Sequence, residues 1–448
     1  MKTNRIAKGL VALSAALALT ACGTSLGSIA DVGATTSSGT TSSAVATTAT
    51  DGSYTIHAQA DDVDYDASTA KTIALGSGNV EITEPGTYIL TGTLSNGQVI
   101  VNSSAEGKVR IVLSNASISN SSGAAIDVRA ADEVVVVLAE GTSNSLTDGS
   151  GYDTSGEDAA DAALFSMADL TIGGTGSLIV TGNTADGIAS KDGLVILGGT
   201  ITVKAADDGI RGKDYLVIQD GTLDVTSAQD GLKSTNETDA QYGDIVISGG
   251  TLTVNAGDDG AHAEGDLAIT GGTVTIAKSS EGLEGHTITI AGGSTSVTSS
   301  DDGVNASSGT GSTSGGGGGG MADDGSSLLI SGGTLTVNAG GDGLDSNGSI
   351  TISGGTTTVA GPTGNGNGSL DSNAGITYTG GTLIAAGSAG MAEAPDSGNY
   401  IQANVSAPAG ATIEVRSGDT VIATYTTVKA VANVVVASDH IVSGQSYT

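Results

Sequence analysis

The sequence predicts an all-β chain wound as a right-handed parallel β-helix: a three-sheet solenoid of about 22 residues per coil, ending in a small C-terminal antiparallel β cap. Three observations lead there. Acid-glycine corners recur in DGIAS, DGIRG, DGLKS, DGAHA, EGLEG, DGVNA and DGLDS, at Gly187, Gly209, Gly231, Gly260, Gly282, Gly303 and Gly343, with separations of 22, 22, 29, 22, 21 and 40 residues. A second turn of Gly-Gly-Thr type keeps step at Gly199, Gly221, Gly250, Gly272, Gly293, Gly333 and Gly355, so each unit has two fixed corners. Finally, 448 residues with no Trp and one Phe leave Val, Ile, Leu and Ala to fill the interior, which suits stacked aliphatic rows rather than a bulky globular core.

From the N-terminus, residues 1–21 read as a secretory signal: Lys2, Arg5 and Lys8 precede an apolar run from Gly9 to Leu19 that is too short to span a bilayer. Leu19-Thr20-Ala21-Cys22 resembles the bacterial lipobox, in which cleavage leaves the cysteine to carry lipid, and Cys22 is the only cysteine. Export and anchoring to the outer face of a bacterial membrane are therefore expected. Residues 22–50 are rich in Ser, Thr, Ala and Gly without periodicity, as a tether is.

The β-helix is expected over 51–395. NVEITEPGTYILTGTLSNGQVIVNS and GKVRIVLSNASIS form irregular opening coils, and the acidic stretch GYDTSGEDAADA reads as a surface insertion. The regular rung AADDGIRGKDYLVIQDGTLDVT divides into the strands GIRGK, YLVIQ and TLDVT, with Ile210 and Gly212 inward and Arg211 and Lys213 outward. Parallel crossovers favour the right hand. TNETDAQYG and SSGTGSTSGGGGGGMADDGS leave the stack at one edge, just after the first strand; the run Gly315 to Gly320 lacks the Lys-Ser/Thr ending of a phosphate loop. Over 396–448, NYIQANV, ATIEVRS, TVIATYT and NVVVAS alternate like antiparallel strands covering the last coil.

A stacked repeat turns single residues into columns. Before each corner glycine stands Asp186, Asp208, Asp230, Asp259, Glu281, Asp302 or Asp342. Carboxylates about 4.8 Å apart repel, and bound cations, protonation or local turn bonds relieve the repulsion. With oxygen donors and no Cys or His cluster, the ion expected is calcium. Beside it runs a basic column: Lys191, Arg211, Lys213 and Lys233 converge within three rungs, followed by His262. Its two positions, two and four residues after each corner glycine, are expected to face outward. The cations serve either as an anion-recognising strip or as neutralisers of Asp192, Asp214 and Asp230. A formal net charge of −33 argues against nucleic acid and anionic membrane as direct partners, and the missing Trp argues against the aromatic platforms that grip neutral glycans.

The rungs ADGIASKDGLVILGGTITV, DDGIRGKDYLVIQDGTLDV, GDDGAHAEGDLAITGGTVTI, SSEGLEGHTITIAGG and GDGLDSNGSITISGG resemble the bacterial carbohydrate-binding β-helix family, similar in fold to polysaccharide lyases, from about Val80 to Ala392. The resemblance implies calcium and the binding of plant cell-wall polysaccharides, including pectic acids. Asp186, Asp192, Asp208, Asp214 and Asp230 match the family's DG and KD positions and are, with Asp259 from the column, the expected metal residues; the basic column makes Lys191, Arg211, Lys213, Lys233 and His262 the expected carbohydrate-binding ones. The expected function is non-catalytic holding of an acidic, uronate-rich polysaccharide at the cell surface, the membrane being reached through the lipid anchor only. Two alternatives remain open: a lyase using calcium-assisted β-elimination with Lys213, Lys233 or Arg211 as base, and an adhesin whose calcium is purely structural.

Overall fold

The computed structural model describes residues 55–156, 158–308 and 322–448. The expected signal peptide, the tether, Cys22 and the Gly315 to Gly320 run lie outside them. Among the described residues the chain is all-β without a helix, and 35 strands join one long sheet in which parallel pairing dominates.

The strands of the rung analysed above are Ile210–Gly212, Tyr215–Ile218 and Thr222–Thr226. Each pairs in parallel with its counterpart one coil earlier and one coil later. Ile210 lies between Ile188 and Leu232, Leu216 between Leu194 and Ile245, and Leu223 between Ile201 and Leu252. We call these three rows the first, second and third ladders. Their inward residues are at most 2% exposed, and each buried Leu or Ile contributes on the order of 1.5–3 kcal/mol relative to exposure.

The two corner glycines are required for different reasons. At the acid-glycine corner the need is space: a Cβ on Gly209 would lie 2.3 Å from Val225 Cγ1 and 2.5 Å from the Gly231 carbonyl oxygen. At the Gly-Gly-Thr corner it is also backbone: Gly250 has φ +77°, a region that side-chain-bearing residues rarely adopt. Close approach between coils decides the first corner, and the left-handed backbone adds to it at the second.

An apolar stripe also runs along the outside of the second ladder, through Val195, Val217 and Val246. Residues 55–64, which the sequence reading counts within the β-helix, lie across it as a strap. Ile56 and Ala58 are fully buried there, Val63 packs near Val112, Val135 and Val137, and the Asp62 carboxylate receives Lys108. His57 fixes the crossing, with Nδ1 2.7 Å from the Tyr215 hydroxyl and 3.1 Å from Asp169, and Nε2 2.9 Å from Thr171 Oγ1.

At the other end, Val431–Ser438 pairs antiparallel with Thr382–Gly387 of the third ladder and with Tyr400–Ala407, while Thr412–Ser417 and Thr420–Thr426 form a separate hairpin. The edge of the last third-ladder strand is thereby paired rather than left open. Lys429 Nζ donates to the Ala339 carbonyl, joining this module to an earlier coil.

Candidate functional site

The corner acids bind the coils to one another. Asp186 Oδ1 accepts the Asp208 N–H at 3.2 Å, Asp208 Oδ1 the Asp230 N–H at 3.0 Å, and Asp230 Oδ1 the Asp259 N–H at 2.9 Å. Further along, Asp302 accepts from Asp342, and Asp342 from Gly368. Each bond reaches the equivalent corner of the next coil instead of its own turn. One oxygen is thus structural, leaving the other available to a cation.

In the early coils that cation is supplied by the chain itself. Arg211 reaches Asp186 at 2.6 Å and Asp161 at 2.8 Å; Lys191 meets Asp161 at 2.7 Å; Lys233 meets Asp230 at 2.7 Å and Asp208 at 3.5 Å. The side chains of Arg211, Lys191 and Lys233 are only 11%, 24% and 26% exposed. Of the two roles open to these outward cations, anion-recognising strip or neutralisers of nearby acids, pairing with acids is the one seen for Arg211, Lys191 and Lys233. Leaving a deeply buried acid uncompensated is costly, so in these coils the cations turn back onto the acids. Lys213 remains exposed. His262 sits 3.0 Å from both Asp259 and Glu284; burial alone would lower its pKa, but the two carboxylates outweigh that and push it up to about 11.

The expected metal residues therefore divide. Asp186, Asp208, Asp230 and Asp259 share one column and already face cationic side chains. Asp192 and Asp214 stand at the other end of the first-ladder strands. Burial, then the charges of Asp169 and Asp214, push Asp192 up to about 6, and Asp214 accepts a bond from Asn236 Nδ2 at 2.7 Å. Asp230, Asp259 and His262, and likewise Asp259, Glu281 and Glu284, bring ligand atoms within 4.8 Å of one another.

Register extends the basic column into an acidic one. The outward row of the first ladder reads Phe165, Ala189, Arg211, Lys233, His262, Glu284, Asn305, Asp345 and Asp371. Its far end lies beside Asp302 and Asp342, and none of Asp302, Asp342, Asp345 and Asp371 has an ion-pair partner among the described residues. Burial raises all four, to about 6 for Asp302, 7 for Asp342 and 8 for Asp345, and repulsion from neighbouring acids adds to the rise in those three. Sequence reasoning missed Asp345 and Asp371. Their signal was the repeated Leu-Asp-Ser at 344–346 and 370–372, the second of which lacks a corner Asp-Gly.

Comparison with known proteins adds three findings. The family described as "Carbohydrate-binding domain-containing protein" matches residues 76–325. A protein of that description from Acetivibrio thermocellus is 38% identical over 137 residues, 30% of this chain and 47% of that protein, so the match spans about half the length of the curated relative. A solved structure described as the polysaccharide lyase-like protein from C. thermocellum, a gadolinium derivative, is 29% identical and covers 50% of this chain and 92% of its own, with a TM-score of 0.44.

Proposed function

Because the chain belongs to the carbohydrate-binding domain-containing family, whose match spans more than half of it, we propose that it holds an acidic polysaccharide of the plant cell-wall type without cleaving it, and that calcium joins the glycan to the acidic end of the first ladder. We read the three ladders as the walls of a right-handed parallel β-helix. The observation that carries the proposal is the group Asp302, Asp342, Asp345 and Asp371, half-buried carboxylates with no ion-pair partner among the described residues. Their all-oxygen donor set suits a hard cation such as calcium, which would offer its remaining coordination positions to uronate carboxylates. The same reading puts the protein outside the cell, with lipid on Cys22 as its membrane contact and no nucleic-acid partner.

Two of the three candidate bases, Lys233 and Arg211, are held in the charged state, which counts against either as the base of a β-elimination. A general base must lose its proton near the working pH, yet Asp230 and Asp208 outweigh the effect of burial on Lys233 and hold it well above the usual ammonium range. Arg211 is likewise kept charged by Asp186 and Asp161 against the opposing effect of burial. Titration calorimetry with polygalacturonate, with and without chelator, tests the reading. Binding is expected only with calcium, weakened at least about ten-fold by Asp345→Asn; equal binding in chelator rejects calcium bridging, and unsaturated uronate in the mixture identifies a lyase.

A further inference from the structure

The repeat breaks twice at one place beside the first ladder. Two residues, 213–214, link Ile210–Gly212 to Tyr215–Ile218, whereas the nine residues 235–243 link Leu232–Ser234 to Asp244–Ile247. In the next two coils the corner straightens: Ala261–Ile269 and Leu283–Ile290 run through it as single strands, with a register shift between Ala263 and Asp266. A wall therefore rises beside a flattened floor. Between them lies a cavity of about 610 Å³, within the range of about 300–1,000 Å³ usual for small-ligand sites.

Glu237 and Tyr242 of the long connection form the wall, and His262, Glu264, Glu284 and His286 form the floor. Asp244 and Asp266 complete the corner, and among the described residues no lysine or arginine lines the cavity. Five carboxylates thus face two imidazoles, and His262 is shared among Asp259, Glu284 and, at 3.5 Å, Glu264, so that one imidazole offsets only part of the acidic lining. A uronate would bring its charge against charges of the same sign. A protonated amine instead brings three N–H donors to carboxylate acceptors, and Tyr242, which lines the cavity while packing in part against the apolar stripe of the second ladder, is the aromatic side chain there for the C–H side of a pyranose. The formal charge of −33 draws such a ligand toward the chain.

We propose that this cavity is a second glycan site, separate from the calcium-suited row, that takes a sugar unit carrying a protonated amine, as in a 2-amino-2-deoxyhexose polymer. It rests on the cavity and on family membership, and not on calcium bridging. The test is titration calorimetry of the full chain, in chelator, with a β-1,4-linked glucosamine hexamer, its N-acetylated counterpart and an oligolysine of equal charge. The glucosamine hexamer is expected to bind at least about ten-fold tighter than either comparator, and to weaken at least about ten-fold in both Tyr242→Ala and Glu264→Gln. Glu237→Gln, on the exposed connection, is expected to weaken it by a smaller factor without altering the melting temperature. Asp345→Asn should leave this binding unchanged, which separates it from polygalacturonate binding. Equal binding of the N-acetylated hexamer or of oligolysine, or unchanged affinity in the Tyr242 and Glu264 variants, overturns the proposal.

Discussion

Arg211 holds two acids at once, Asp186 and Asp161, and is itself largely enclosed. Arg211→Ala strands those carboxylates, and breaking a buried pair from one side costs about 3–5 kcal/mol. Urea denaturation should show a loss of that order, whereas Lys213→Ala, at an exposed position, should stay within about 0.5 kcal/mol of the parent. Both residues stand in one short basic run of the sequence, and periodicity assigns both to the outside. What distinguishes them is which acid of a neighbouring coil each can reach, a fact of stacking. The same applies to Asp345: its pKa is pushed up to about 8 by burial and by Asp302, Asp342 and Asp371, the last of which lies 26 residues away in sequence but one coil away in space.

At the scale of elements, coil and strap make separate demands. Gly209→Ala would force Cβ against Val225 and the Gly231 carbonyl, so a loss above about 2 kcal/mol is expected by urea denaturation. Ile56→Ala should cost about 2–5 kcal/mol, and amide exchange should quicken at Val195, Val217 and Val246, which the strap covers. Unchanged exchange at those valines would show that the strap does not seal the ladder. The three strands of the regular rung were legible because burial on one face imposes a period of two and glycine marks the corners. The strap was not legible, since residues 55–64 lie across other coils and carry no repeat of their own; their partners, Tyr215 and Val246, are more than 150 positions away.

Among the described residues, charge is graded along the stack: acids paired with cations in the coils around Arg211 and Lys233, acids without an ion-pair partner around Asp302 and Asp345. Burial holds the pKa of Asp302, Asp342 and Asp345 above the unfolded carboxylate value, so the folded chain binds protons more tightly than the unfolded one. Their favourable contribution is complete below about pH 4 and is lost as pH rises through about 6 to 8. In chelator these three groups should therefore make melting higher at pH 5 than at pH 8, by about 3 °C or more, and Asp345→Asn should shrink the difference. Calcium should raise the melting temperature more at pH 8, where the acids are ionised and available to it. A melting temperature that climbs between pH 5 and 8 in chelator would contradict this account of the row. The sequence by itself determined the coil length, both corners and the aliphatic core, because a repeating backbone imposes the same local steric and burial demands on every turn. Only the tertiary structure decided which charges are already satisfied, where an outer apolar stripe is covered and where a cavity opens, because those depend on contacts between coils and across insertions that no single repeat contains.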